Sequence, residues 1–366
     1  MKARALHSTL TADARIRLAL DEIDLGDPGA DEVIVRIDAA PVNPTDLYLM
    51  LAMADLSRAT TEGGALVAPT VAAAVAMSAG RVDKPLPIGT EGAGTVVAAG
   101  AGSAAQALVG KVVAAANGGM YATHRKLPAA AVRELPPGRT AEEGASSFVN
   151  PMTALSFVET TRAEGHRALV HTAAASNLGQ MLVKICAADG VPLVNIVRRP
   201  AQLEQLRALG AAHVVDSTTP TFPDDLAGAI GAAGATIAFD AIGGGPLASQ
   251  ILAAMERVAA RAMTTYSHYG SATHKQIYIY GSLDRNPTTL ARTYGLAWSV
   301  GGYLVSHALR KLGSEAYGRM TRRVMAELTT TFESHYIGRI TLAHLLDAQA
   351  LRRCSQTATG EKYLVT

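Results

Sequence analysis

The chain carries only two cysteines, Cys186 and Cys354. Neither has a neighbour at metal or redox-motif spacing, which excludes a disulfide framework, and the apolar run around Cys186 marks it as a buried small hydrophobe. Aromatic residues are scarce at 5%, with one Trp, and the formal net charge is only +2 with no dense basic tract. Those two shortages argue against a base-stacking or phosphate-tracking surface, so no nucleic acid is expected as a partner. Long apolar runs are also missing. The Ala-rich stretch from Leu66 to Gly80 comes nearest, and Pro69, Thr70 and Ser78 interrupt it. The start, Met1 to Leu6, has no apolar signal-peptide core. The expectation is a cytoplasmic chain with no membrane partner.

What remains is ample for folding. Of 366 residues, 49% are hydrophobic and 17% charged, enough for two cores and too apolar for disorder. The first part reads as short strands. Glu32 to Ile37 alternates with period two, Gly92 to Gly100 is a strand bounded by glycines, and Gly110 to Ala114 is another. Pro136-Pro137-Gly138 punctuates the chain. Afterwards the rhythm changes to short apolar runs alternating with helical spacing: Ala168–His171, Leu178–Ala188, Leu193–Val197, Gln202–Leu209, Val214–Val215 and Thr236–Asp240. That rhythm predicts an α/β fold with a doubly wound parallel sheet. Leu290 to Thr331 reads as mostly helical, interrupted at Gly301-Gly302. The tail offers one helix and a late strand that could return to the first domain. The expected division is residues 1–135 with 335–366 against 136–334. Residues 51–87 are expected to be an insertion, either a surface excursion or a lid or pocket wall.

A strand, a small-residue turn and a helix make a pyrophosphate site, because the helix N-terminus offers free N–H groups and the phosphates lie against backbone. The turn here is Ala173-Ala174-Ala175-Ser176-Asn177-Leu178-Gly179. Set on G-x-G-x-x-G, the glycine positions hold Ala174, Ser176 and Gly179, so only the last is glycine. The same residues could equally be a small-residue helix start packed on a sheet. The next strand ends Val197-Arg198-Arg199-Pro200, with no acid for a free ribose 2′-hydroxyl and two guanidiniums suited to a 2′-phosphate. NADPH is therefore expected over NADH.

Five further motifs occur in order: Asn43-Pro44-Thr45-Asp46-Leu47-Tyr48, Gly89-Thr90-Glu91-Gly92-Ala93-Gly94, Asn150-Pro151-Met152-Thr153-Ala154, Phe239-Asp240-Ala241-Ile242-Gly243-Gly244 and Ala358-Thr359-Gly360-Glu361-Lys362. With them, nearly the whole chain resembles the medium-chain dehydrogenase/reductase superfamily, and within it the zinc-independent quinone oxidoreductase and enoyl-reductase branch. The resemblance implies a Rossmann-like domain plus a GroES-like, mainly-β domain built from the N-terminal part and the tail. Zinc-dependent relatives have a His ligand where Thr90 stands, and a four-cysteine lobe that this chain lacks. No metal is expected. His171, at a strand end, reads as a packed residue rather than a ligand.

By resemblance, the nicotinamide lies between the domains. Asn43 and Tyr48 line its reactive end. Asn150 and Thr153 serve its carboxamide side. Ala174, Ala175, Ser176, Asn177 and Leu178 flank the pyrophosphate. Arg198 and Arg199 take the 2′-phosphate, Ile242 and Gly243 pass under the adenosine ribose, and Lys362 reaches a phosphate or the carboxamide. The substrate implied is a small quinone or conjugated enone, which accepts hydride without a Lewis acid. Tyr48 is the one side chain nominated as proton donor, set against simple packing on the cofactor. An enoyl-thioester reductase would share every cofactor residue, and a nucleotide-binding sensor with little turnover would share the fold. A homodimer is expected from the frequency of two-fold assemblies.

Overall fold

A computed structural model of the chain describes residues 1–355 and 362–366. These residues form two compact units, Met1–Val149 with Val324–Thr366, and Asn150–Arg323. The first unit opens with β1 (Lys2–Leu10), β2 (Arg15–Asp24), β3 (Glu32–Pro41) and α1 (Pro44–Leu51). There follow β4 (Thr60–Glu62), β5 (Ala65–Pro69), α2 (Ala72–Met77) and β6 (Leu86–Pro87). Leu6, Leu10, Ile16 and Leu18 are fully buried, and on β2 the flanking Arg15 and Arg17 face outward.

Residues 51–87 contribute strands to the first unit. A hairpin turning at Gly63-Gly64, both in the left-handed region, joins β4 to β5. β5 then pairs antiparallel with β2, setting Leu66 opposite Leu18 and Ala68 opposite Ile16. The segment supplies three strands, β4, β5 and β6, of a five-stranded sheet ordered β4-β5-β2-β1-β6, and its Leu66 and Ala68 belong to the core. Of the Ala-rich stretch, Leu66 to Ala68 and Ala74 are buried, while Val71 and Met77 stay exposed.

The unit continues with β7 (Gly92–Ala99), α3 (Ser103–Gln106), β8 (Val112–Ala115), β9 (His124–Pro128), β10 (Val132–Glu134) and α4 (Ala141–Gly144). Next come α5 (Val149–Ala163), β11 (Leu169–His171), α6 (Asn177–Asp189), β12 (Leu193–Val197), α7 (Pro200–Ala208), β13 (His213–Asp216), α8 (Phe222–Ala233) and β14 (Ile237–Asp240). β15 (Gly243–Gly245), α9 (Leu247–Arg261), β16 (Lys275–Ile279), β17 (Asp284–Thr288) and β18 (Trp298–Gly302) complete the alternation. α10 (Val305–Ala326) is two helices merged across a kink at Gly313, whose φ is 87°. The tail holds β19 (Tyr336–Ile340), α11 (Ala348–Ser355) and β20 (Lys362–Val365).

In the second unit six strands run parallel in one sheet ordered β13-β12-β11-β14-β16-β18, and β15 pairs with β17 in a separate two-stranded sheet. Starting at β11, the chain winds outward to β13 and then crosses back to β14, so the switch point lies beside β11. Cys186 is buried in α6. The helical reading of Leu290 to Thr331 is corrected here. Residues 298–302 form β18, a sheet strand ending at the Gly301-Gly302 pair, and helix begins only at Val305. A short apolar run beside glycines carries no period that separates strand from helix, and pairing with β16 decides it.

The tail does return to the first unit. β20 pairs antiparallel with β3 and parallel with β19, in a sheet ordered β10-β8-β7-β3-β20-β19 with β9 also on β3. Of the closing motif, Ala358 to Glu361 lies outside the described residues, and Lys362 begins β20.

Candidate functional site

The turn after β11 is built from residues small enough to let a ligand approach backbone. Ala173 takes a left-handed conformation (φ 51°), the tight-turn duty that glycine performs elsewhere. Ala174 and Ala175 are buried, and Ser176 caps α6, its Oγ accepting the Gly179 N–H at 3.1 Å. The single glycine retained is the one geometry demands: a Cβ at Gly179 would stand 2.0 Å from the Ala174 carbonyl oxygen. Asn177 and Leu178 follow in the first turn of the helix. The glycine-poor turn thus keeps strand and helix in close backbone contact.

Adjacent strand ends complete the rim. β12 ends at Val197, and the exposed Arg198 and Arg199 follow immediately; neither guanidinium has an ion-pair partner among the described residues. On the other side of β11, the turn after β14 is fixed by a buried knot. Asp240 accepts from the Thr172 hydroxyl (2.7 Å) and from the N–H groups of Ile242 (2.9 Å) and Gly243 (3.1 Å). The Thr172 oxygen in turn accepts the Ala241 N–H at 2.8 Å. Gly243 is left-handed at φ 78°, and a Cβ there would meet the Gly281 carbonyl oxygen at 2.6 Å. Sheet order therefore brings Ala173–Leu178, Arg198, Arg199, Ile242 and Gly243 to the carboxyl ends of three neighbouring strands. Asn150 and Thr153 lie in the first turns of α5, Asn150 half-buried and Thr153 buried.

Behind this edge His171 is fully buried, its Nε2 2.8 Å from the Tyr280 hydroxyl, while its Nδ1 has no partner. Burial drives its pKa down to about 3, so the ring is neutral. Phe157 and Phe239 stack beside it at 4.1 Å. His171 is a core residue.

The first unit holds a second constellation around α1. Tyr48 projects from this helix, 48% exposed. Asn43, by contrast, is 1% exposed with its amide occupied at both ends. Its Nδ2 donates to Glu91 at 3.0 Å and its Oδ1 accepts from the Lys362 ammonium at 2.8 Å. Glu91 also accepts the Phe148 and Val149 N–H groups, each at 2.9 Å. Asp46 reaches back to the Asn43 N–H (3.1 Å) and accepts from the Thr90 N–H (2.7 Å) and hydroxyl (2.6 Å). Burial pushes Glu91 and Asp46 up from the usual carboxylate range, against hydrogen bonds and the Lys362 charge, and burial pushes Lys362 down.

Two expected roles change as a result. Asn43 does not present its side chain as a contact for a nicotinamide, and Lys362, 5% exposed, does not reach outward to a phosphate. Both are bound into a buried network that sets the entry of α1, because a buried ammonium and two buried carboxylates are tolerable only when satisfied by one another. Asp46, Thr90 and Glu91 were visible within motifs but carried no role in the sequence; their burial and mutual contact supply it. Thr90 spends its hydroxyl on Asp46. Among the described residues no group of three His, Cys, Asp or Glu is placed to hold a metal ion.

Comparison with known proteins agrees with this geometry. Residues 29–137 match the alcohol dehydrogenase GroES-like domain family, and residues 178–287 match the zinc-binding dehydrogenase family. The chain is 27% identical over 267 residues to the synaptic vesicle membrane protein VAT-1 homolog of Rattus norvegicus, covering 71% of this chain and 62% of that protein. It is 27% identical over 220 residues to the mitochondrial enoyl-[acyl-carrier-protein] reductase of Bos taurus, covering 58% and 52%. The chain thus spans less than two thirds of each of these curated relatives. Its structure resembles that of a Mesorhizobium loti protein provisionally assigned as an NADPH:quinone reductase, with a TM-score of 0.73, 25% identity and coverage of 100% and 98%. Two matched domain families in the expected order, the glycine-constrained turn and the strand order together show that the chain belongs to the medium-chain dehydrogenase/reductase superfamily, on its quinone oxidoreductase-like branch.

Proposed function

We propose that the protein is an NADPH-dependent oxidoreductase that reduces a quinone or a conjugated enone. The observation that carries this reading is the pair Arg198 and Arg199 at the end of β12, unpaired and beside a turn whose side chains are no larger than Ser and Asn. Their planar forks suit a 2′-phosphate. The backbone from Ala174 to Leu178 would hold the pyrophosphate at the positive end of α6. Ile242 and Gly243, fixed by Asp240, would support the adenosine ribose, and Asn150 and Thr153 would serve the carboxamide. NADPH bound in this way supplies a hydride.

The chain's own part in the chemistry is orientation and proton supply. Tyr48 is exposed on α1, and its hydroxyl can donate a proton to the enolate formed when a conjugated acceptor takes up hydride. Asn43 and Lys362 act indirectly, by fixing the helix that carries Tyr48.

The test is NADPH oxidation with a 1,4-quinone, a simple enone and an enoyl thioester, each repeated with NADH. Turnover with NADPH and much less with NADH supports the reading. The similarity to an enoyl-[acyl-carrier-protein] reductase gives the thioester arm its place, and preference for that acceptor would move the substrate assignment. NADPH binding without turnover of any acceptor would refute the enzymatic reading.

A further inference from the structure

The segment 51–87 converges on the C-terminal end of α1, the helix that carries Tyr48. The last carbonyls of a helix have no partners within it and must find them elsewhere. Here each is accounted for. The Tyr48 carbonyl accepts from the Ala52 N–H (3.0 Å) and the Leu51 carbonyl from the Ala54 N–H (2.8 Å). Ser8, fully buried on β1, donates to the Met50 carbonyl at 2.7 Å. Thr70 donates its hydroxyl to the Ala52 carbonyl. The Leu49 carbonyl is taken by Arg81, whose Nη1 donates at 2.7 Å while its Nη2 donates to Ser8 Oγ at 3.0 Å. Arg81 Nε is sealed from solvent without a partner. A guanidinium is thus partly buried at the negative end of a helix, where a cation is favoured.

Tyr48 immediately precedes Leu49 in α1, so the bond from Arg81 to the Leu49 carbonyl fixes the turn from which the Tyr48 side chain projects.

We propose that Arg81 is a positioning residue for the reduction, fixing the last turn of α1 from which Tyr48 projects. This rests on the reading of Tyr48 as proton donor. The balance is simple: hydride from NADPH adds to the enone β-carbon and the electron pair passes to the carbonyl oxygen. Tyr48 then supplies the proton, and water restores it to the phenolate. Residues 51–87 are, on this view, the clamp that orients the donor.

The experiment is a double-mutant cycle on the full chain, with kcat and KM for an enone at saturating NADPH and the NADPH Kd by fluorescence. Arg81→Met is expected to lower kcat about tenfold, part of the range a general acid contributes, with KM and NADPH Kd within about twofold. In the Tyr48→Phe background, Arg81→Met is expected to lower kcat by less than about twofold, because the group it acts through is gone. Arg81→Lys, which keeps a donor for the Leu49 carbonyl, is expected to recover most of the loss and guards against a Met variant that fails to fold. Equal loss from Arg81→Met in both backgrounds would overturn the positioning role while leaving Tyr48 as donor. An unchanged kcat for Tyr48→Phe would remove the donor reading and this inference with it.

Discussion

The Ala174 carbonyl oxygen occupies the space in which Gly179 would carry a side chain, 2.0 Å from where a Cβ would sit. Helix α6 and the turn after β11 touch backbone to backbone there. Gly179→Ala must separate them, and overpacking of this kind costs about 1–3 kcal/mol. The urea midpoint is expected to fall by that equivalent and NADPH affinity to weaken with it. Ala173→Gly is the matched control. It relieves a left-handed alanine but adds freedom to the unfolded chain, so the net change is expected to stay within about 1 kcal/mol. Equal losses from both substitutions would count against the cradle.

Arg198 and Arg199 stand free at the end of β12. If they bind a 2′-phosphate, replacing either with Ala removes a charge-assisted contact of about 1.5–3 kcal/mol, or roughly 10- to 100-fold in Kd. NADPH titrations are expected to show that loss and NADH titrations almost none. Parallel weakening of both nucleotides would place the pair elsewhere on the cofactor.

Lys362 neutralises a pocket that holds Glu91 and Asp46. Lys362→Met would leave buried carboxylates without their cation, a loss of about 3–5 kcal/mol in comparable settings. Chemical denaturation is expected to show that destabilisation without added cofactor. A variant with native stability and only weakened NADPH binding would instead restore Lys362 to the cofactor site.

His171 should make stability depend on pH in a defined direction. Its folded pKa is depressed to about 3 by burial, below the reference value of about 6.5. Between those values the unfolded chain binds more protons, so stability is full above about pH 6.5 and is lost as pH falls, by about 2 kcal/mol at pH 5. His171→Asn has no such group, and its stability is expected to fall less steeply from pH 7 to pH 5. Identical slopes would mean that the imidazole does not contribute.

Features resting on neighbours in sequence were legible in advance. The strand–turn–helix around Ala173–Gly179 and the acid-free, Arg-bearing end of β12 are local patterns, and a late strand from the tail was visible as well. Those requiring a distant partner were not. β18 carries a helix-neutral apolar run ending in two glycines and becomes a strand only against β16. Asn43 and Lys362, 319 positions apart, look like two exposed polar ends of motifs until β20 is laid beside β3.

The sequence by itself determined the α/β class, the order of the motifs and the small-residue make-up of the turn after β11, because each follows from periodicity or from side-chain size within a few residues. Tertiary structure decided which polar residues are buried and satisfy one another. It turned Asn43 and Lys362 inward and made residues 51–87 a brace for the Tyr48 helix. The physical reason is that burying a charge or a helix-end carbonyl is tolerated only with a partner in place, and long-range folding supplies that partner.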